Sequence, residues 1–150
     1  MATHYAGAEQ EIQALNCYIK LARATHTASM RIHRHLKERR ITAGQFGVLD
    51  ALYFLGPLSQ RDLAQKHLMS PGNMTMVVDH LEKRGLVSRE RQTHDRRFVK
   101  VHLTEEGRKL FESVLPRHIR EIQSVMSVLS PTEQDELGRL CRKLGTRQNR

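Results

Sequence analysis

SQRDLAQKHLMSPGNMTMVVDHLEKRGLVSRERQTHDRRFVKVHLTEEG, residues 59–107, changes its period part-way along, and that change decides the fold. Up to Gly85 the apolar residues recur every three or four positions, as on one face of a helix. Ser59, three residues ahead of Asp62, marks a helix start because its hydroxyl can accept a free backbone donor of the first turn; it opens RDLAQKHL, with Leu63 and Ala64 facing inward. Ser70-Pro71 is a second start, since serine caps and proline tolerates the first helical position. The helix from Pro71 to Arg84 is predicted to bury Met74, Val77, Val78 and Leu81, and Gly85, which adopts the left-handed cap cheaply, ends it. From Leu86 the period is two. LVSRER and FVKVHL read as strands, the second alternating Val99, Val101 and Leu103 with Phe98, Lys100 and His102, around the polar loop QTHDRR. Two short helices joined by a brief turn, followed at once by a hairpin with a basic tip, match the winged form of the helix-turn-helix.

Working outward, Ile12, Leu15, Ile19, Ala22, His26, Ser29, His33 and Leu36 lie three and four apart and predict one long helix from Glu9 to about Arg40. Its face is apolar at first and mixed later, which points to packing against a second subunit. Thr42 to Gln45 has the form of a capping box and starts a helix over Ala43–Phe54, stopped by Gly56-Pro57. On the far side, Thr104 caps a helix whose stripe comprises Leu110, Phe111, Val114, Leu115, Ile119, Ile122, Val125, Met126 and Leu129, with a kink expected at Pro116. Ser130, Pro131 and Glu133 open a last helix carrying Leu137, Leu140, Cys141 and Leu144 inward. The expected fold is therefore mainly α with a small β-hairpin wing. It divides into an N-terminal dimerisation helix (1–41), a winged helix-turn-helix (42–104) and C-terminal dimerisation helices (105–150). A monomer would have to cover the stripe of 110–129 and the face of the first helix by itself; terminal helices exchanged between two copies cover both.

Composition narrows the function. In 150 residues, 25 Lys and Arg stand against 16 Asp and Glu, a formal net charge of +9 that suits a polyanionic partner. Residues 20–40 hold seven basic residues against Glu38 alone, and 139–150 hold five with no acid. No apolar run approaches the roughly 18 residues of a membrane span, and the N-terminal MATHYAGAEQ lacks both a basic segment and an apolar core for secretion, so a cytoplasmic protein without a membrane partner is expected. GxSxG, P-loop, GxGxxG and HExxH motifs are all missing, which argues against an enzyme. His26 and His33 share a face but are two turns, roughly 10.5 Å, apart, too far to share a metal. His33 and His35 are expected on different faces, and no metal site is expected.

An α-helix fits the major groove, where residues near its N-terminus reach base edges. Here that segment is Ser70, Pro71, Gly72, Asn73, Met74, Thr75 and Met76, with Ser59 and His80 nearby; Gly72 permits close approach to the DNA backbone. Arginines on a hairpin tip can enter a narrow minor groove, and Arg96 and Arg97 are placed to do so, with Asp95 orienting one of them by a charge-assisted hydrogen bond.

DHLEKRGLV, the DRR at 95–97 and VHLTEEG stand in an order and spacing that resembles the MarR family of bacterial transcription factors, and the likeness runs from roughly Leu15 to Leu144. The resemblance implies a homodimer on double-stranded DNA at a pseudo-palindromic promoter site. It also implies that the segment Ser70–Met76 reads the major groove and that Arg97, supported by Asp95, enters the minor groove. The chain departs from the common pattern at Met76 and His80, where many relatives carry arginine. The resemblance further implies a small anionic or phenolic effector rather than a cofactor, for which Met30, Arg31, His33 and Arg34 are the candidate residues. Cys17 lies near the position of a reactive cysteine in peroxide-sensing relatives; the competing reading is a small buried hydrophobe, and Cys141 is expected to pack inward. A nonspecific nucleic-acid-coating protein is the alternative that charge alone suggests.

Overall fold

The computed structural model describes residues 2–91 and 99–146. The elements are α1 (Glu9–His33), a 3-10 helix (Arg34–Arg39), α2 (Ala43–Leu55), β1 (Leu58–Ser59), α3 (Gln60–Lys66), α4 (Pro71–Lys83), β2 (Val87–Arg91), β3 (Val99–Leu103), α5 (Glu105–Met126) and α6 (Pro131–Thr146). The fold is a winged helix-turn-helix flanked in sequence by long terminal helices.

The capping signals act as their chemistry requires. Thr42 Oγ1 accepts from Gln45 N at 3.2 Å while Gln45 Oε1 accepts from Thr42 N at 3.0 Å, a complete capping box on α2. Ser130 and Glu133 form the reciprocal pair at α6. The Glu133 carboxyl, held by these Ser130 bonds, sits below the usual carboxylate range. Gly85, at φ 70°, makes the turn from α4 into β2, a backbone region that costs an L side chain about 1–2 kcal/mol.

Three expectations are corrected. The first helix does not reach Arg40: it gives way to the 3-10 helix after His33, and Arg40 turns left-handed at φ 53° with its N–H on the Lys37 carbonyl. The tighter turn lets Leu36 and Ile41 both enter the core, which a continued α-helix would not allow. The wing is not a bare hairpin: β1 pairs with β3, Leu58 opposite Val101, so the sheet order is β1-β3-β2. Two residues are too short to show alternation. Finally, the α5 stripe is buried only at Phe111 and Val114, while Ile119 and Ile122 are exposed; Pro116 lies inside the helix.

Contacts divide the chain into two compact units, one spanning His33–His118 and the other formed by the chain up to Ile32 and from Ile119 on. The cuts fall within α1 and α5, inside the segments 1–41 and 105–150 that the sequence assigns to dimerisation. The core lies in the His33–His118 unit, where Leu49, Leu63, Met74, Val78, Leu81, Val101 and Phe111 are fully buried. Phe111 anchors it, its ring 4.8 Å from that of Tyr53 and 5.3 Å from that of Phe46. His118 is buried, its ring 4.2 Å from that of Phe46. His35 Nε2 lies 3.1 Å from His118 Nδ1 and the His33 ring stacks on His118 at 5.7 Å, so His33 and His35 meet the same ring rather than different faces. The change to 3-10 geometry at Arg34 removes the regular helical spacing on which that expectation rested.

In the other unit α1 and α6 have no buried residue. Leu15, Tyr18 and Met30 on α1, and Leu137, Leu140 and Leu144 on α6, expose apolar side chains. Cys17 and Cys141, expected to pack, are both exposed.

Candidate nucleic-acid interface

α3 and α4 are set by their caps. Ser59 Oγ accepts from Asp62 N at 3.0 Å and donates to Asp62 Oδ2 at 2.6 Å, while Ser70 Oγ accepts from Asn73 N at 3.3 Å. Both serines singled out for DNA contact thus fix helix starts. Between the helices, His67 ends α3, Leu68 turns left-handed at φ 51°, and Met69 N donates to the Ala64 carbonyl at 2.9 Å. The His67 ring lies against Gly47 of α2, and burial pushes its pKa below the ordinary histidine range, partly opposed by the Asp50 carboxylate. Burial raises Asp50 in turn.

The first turns of α4 split cleanly by face. Pro71, Gly72, Asn73, Thr75, Met76 and His80 are exposed together, and a Cβ added at Gly72 would meet nothing within 4 Å. Met74, placed by the sequence both on the buried face and in the reading segment, is corrected in the second role: it is fully buried in the core with Val78 and Leu81 and cannot reach a base edge. The sequence segment 70–76 is contiguous, but a helix turns one residue of it inward.

Arg89 on β2, which sequence reasoning counted only as charge, ties α4 to the wing. Its guanidinium contacts Asp79 at 2.5 Å and Glu82 at 2.8 Å on α4, and its backbone N–H donates to Glu82 Oε1 at 2.9 Å. It also donates to Gln60 Oε1 at 3.3 Å and to the Thr75 carbonyl at 3.3 Å. A legible signal existed: Asp79 and Glu82 are three apart on a helix expected to approach phosphate, and two carboxylates there call for a cation. Behind α4, Arg84 donates to the carbonyls of Arg40 at 2.6 Å and Arg39 at 3.2 Å, closing the 3-10 helix. The wing ladder runs from Val87 opposite Leu103 to Arg91 opposite Val99. Asp95, Arg96 and Arg97 lie outside the described residues. The effector candidates are spread from the first half of α1 to the start of the 3-10 helix: Cys17, Met30 and Arg31 are exposed, His33 is half-buried and Arg34 opens the 3-10 helix. Among the described residues, no three His, Cys, Asp or Glu side chains converge as metal ligands.

The sequence profile of the MarR family matches residues 41–99. The uncharacterized HTH-type transcriptional regulator YkoM of Bacillus subtilis is 37% identical over 138 residues, 91% of this chain and 90% of that protein. The chain belongs to the MarR family. It is accordingly a DNA-binding transcriptional regulator and not an enzyme. Among solved structures, that of Bordetella bronchiseptica BpsR, described as regulated in its DNA binding by 6-hydroxynicotinic acid, is similar at a TM-score of 0.80 and 29% identity, over 86% of this chain and 98% of that one. The MarR-family regulator Sco3205 of Streptomyces coelicolor, solved in complex with DNA, shares the fold at a TM-score of 0.86 and 22% identity, over 98% of this chain and 93% of that one. No helix among the described residues is long and apolar enough to cross a membrane.

Proposed function

We propose that this MarR-family chain is a cytoplasmic homodimer that represses transcription from a pseudo-palindromic promoter site until a small anionic or phenolic effector releases it. The observation that carries the dimer is the set of uncovered apolar side chains on the terminal helices: Leu15, Tyr18 and Met30, Ile119 and Ile122, and Leu137, Leu140 and Leu144. Each Å² of such surface left in water forgoes about 25 cal/mol, and a second copy of the same helices is the economical cover. Two copies would also place two α4 helices about one DNA turn, roughly 34 Å, apart, so that their binding energies add.

The effector class rests on likeness. BpsR is regulated by an aromatic carboxylate, and Arg31, His33 and Arg34 of this chain are of the cationic and hydrogen-bonding types such a molecule needs, Met30 of an apolar type. A second reading, thiol oxidation at Cys17, is favoured by the exposure of that residue.

The experiment is a titration of purified protein onto DNA from upstream of its own gene, at near-physiological salt with excess competitor DNA. A protected two-fold symmetric site that survives competition, with release by aromatic carboxylates, is the expected result. Leu140→Glu should then give monomers in sedimentation and lose that site. Asn73→Ala should change which sequence is preferred, and Arg97→Ala should weaken binding to all sequences and lower the salt slope by about one. Binding that dissolves into competitor would identify the nonspecific coating alternative, and release by peroxide that Cys17→Ser abolishes would identify the thiol switch.

A further inference from the structure

A directed chain of hydrogen bonds runs from the wing to the first turn of α4. Arg89 Nε donates to Gln60 Oε1 at 3.3 Å, Gln60 Nε2 donates to Thr75 Oγ1 at 2.6 Å, and Thr75 Oγ1 donates to the Pro71 carbonyl at 2.9 Å. Its direction is fixed at both ends. A guanidinium can only donate, so the Gln60 amide must turn its oxygen to Arg89 and its nitrogen to Thr75. A carbonyl can only accept, so the one hydroxyl hydrogen of Thr75 goes to Pro71. Arg89 cannot swing away to release the chain, because Asp79 and Glu82 hold its other nitrogens.

Thr75 therefore has no donor left for a base acceptor such as guanine O6 or thymine O4. Thr75 is exposed as a residue, and with Oγ1 committed to Gln60 and Pro71 the other branch of its β-carbon is the Cγ2 methyl. Resting on the reading of the protein as a sequence-specific regulator, we propose that Thr75 is a specificity-determining residue that recognises the C5 methyl of a thymine by apolar contact, its hydroxyl being held by Gln60 and Pro71. In the major groove that methyl is the one apolar group by which a base pair announces itself. One lone pair of Oγ1 remains and could accept from adenine N6 or cytosine N4, so the test separates the methyl from that lone pair.

The test uses full-length protein and the tightest site it selects from random double-stranded DNA. Each thymine of that site is replaced in turn by deoxyuridine, which removes only the C5 methyl. The expected result is one position per half-site at which the wild-type protein loses affinity about fourfold, the worth of one buried methyl. Thr75→Val keeps Cγ2 and discards the hydroxyl; it is expected to hold the wild-type affinity within about twofold and the same sensitivity to uracil. Thr75→Ser keeps the hydroxyl and discards the methyl; it is expected to lose about fourfold on thymine DNA and nothing further on uracil DNA. Full binding by Thr75→Ser with a loss in Thr75→Val overturns the proposal in favour of the hydroxyl. A site with no uracil-sensitive position also overturns it, using wild-type protein alone and hence without depending on how either variant folds. A wild-type protein that enriches no sequence overturns the specific-regulator reading itself, and this inference with it.

Discussion

Gly107 lies three residues after Thr104, inside the first turn of α5, where the ordinary expectation is that alanine would do better. Glycine in a helix interior is worth about 1 kcal/mol less than alanine, so helix propensity alone predicts that Gly107→Ala stabilises. The structure reverses the sign. A Cβ at Gly107 would overlap the Leu86 carbonyl oxygen and sit 2.8 Å from Leu103 Cδ1. That carbonyl is not free to retreat: it accepts from Thr104 N at 3.2 Å, and Thr104 Oγ1 in turn donates to the Gly85 carbonyl at 2.6 Å and accepts from Gly107 N at 3.0 Å. The close approach of α5 to the base of the wing is thus pinned on both sides of the contact.

Forcing a methyl into a packed contact costs about 1–3 kcal/mol, and a clash with backbone belongs at the upper end because no rotamer relieves it. Offsetting this with the propensity gain of about 1 kcal/mol leaves a net loss of about 1–2 kcal/mol. At roughly 4 °C per kcal/mol for a chain of this size, the thermal midpoint should fall by about 4–8 °C. Differential scanning calorimetry of Gly107→Ala beside wild type measures it directly. A midpoint equal to or above that of wild type would refute the reasoning, since it would mean that α5 can lift from Leu86 without cost.

The same logic predicts the opposite result at Gly72, whose added Cβ has open space: Gly72→Ala should melt no lower than wild type yet bind DNA on the order of tenfold more weakly, and unaltered binding would remove Gly72 from the interface. Phe111→Ala, which empties the aromatic centre shared with Phe46 and Tyr53, should lower the unfolding free energy by about 3–5 kcal/mol in a urea titration; a loss under about 1 kcal/mol would show that the site collapses. His67 predicts a pH dependence. Because burial holds its folded pKa below the unfolded value near 6.5, the unfolded chain takes up the proton first, so this contribution is full above about pH 6.5 and is lost as the pH falls below it. Any stability advantage of wild type over His67→Gln should therefore shrink between pH 7.5 and 5.5 in paired urea titrations, and a constant gap would dismiss His67 as the titrating group.

What was legible in the sequence was local. Thr42 with Gln45, Ser59 with Asp62, Ser70 with Asn73 and Ser130 with Glu133 each act over three residues, a distance at which residue type and spacing suffice to place a helix start. The alternation of Val99, Val101 and Leu103 likewise placed β3 from its own pattern. The features that escaped are bonds between distant positions: Arg89 to Gln60 spans 29 residues, Gln60 to Thr75 spans 15, and His35 to His118 spans 83. That asymmetry matters most on α4. The residue types there mark a candidate reading helix, because hydroxyl, amide and small side chains near its start suit a base edge. Which of their atoms remain available is decided elsewhere, by a glutamine at the start of α3 and an arginine on the wing, and by the helical turn that sends Met74 into the core. A side chain's type therefore sets what it could read, while its partners within the protein set what it does read; at Thr75 the two differ by one hydrogen, and that hydrogen belongs to Pro71.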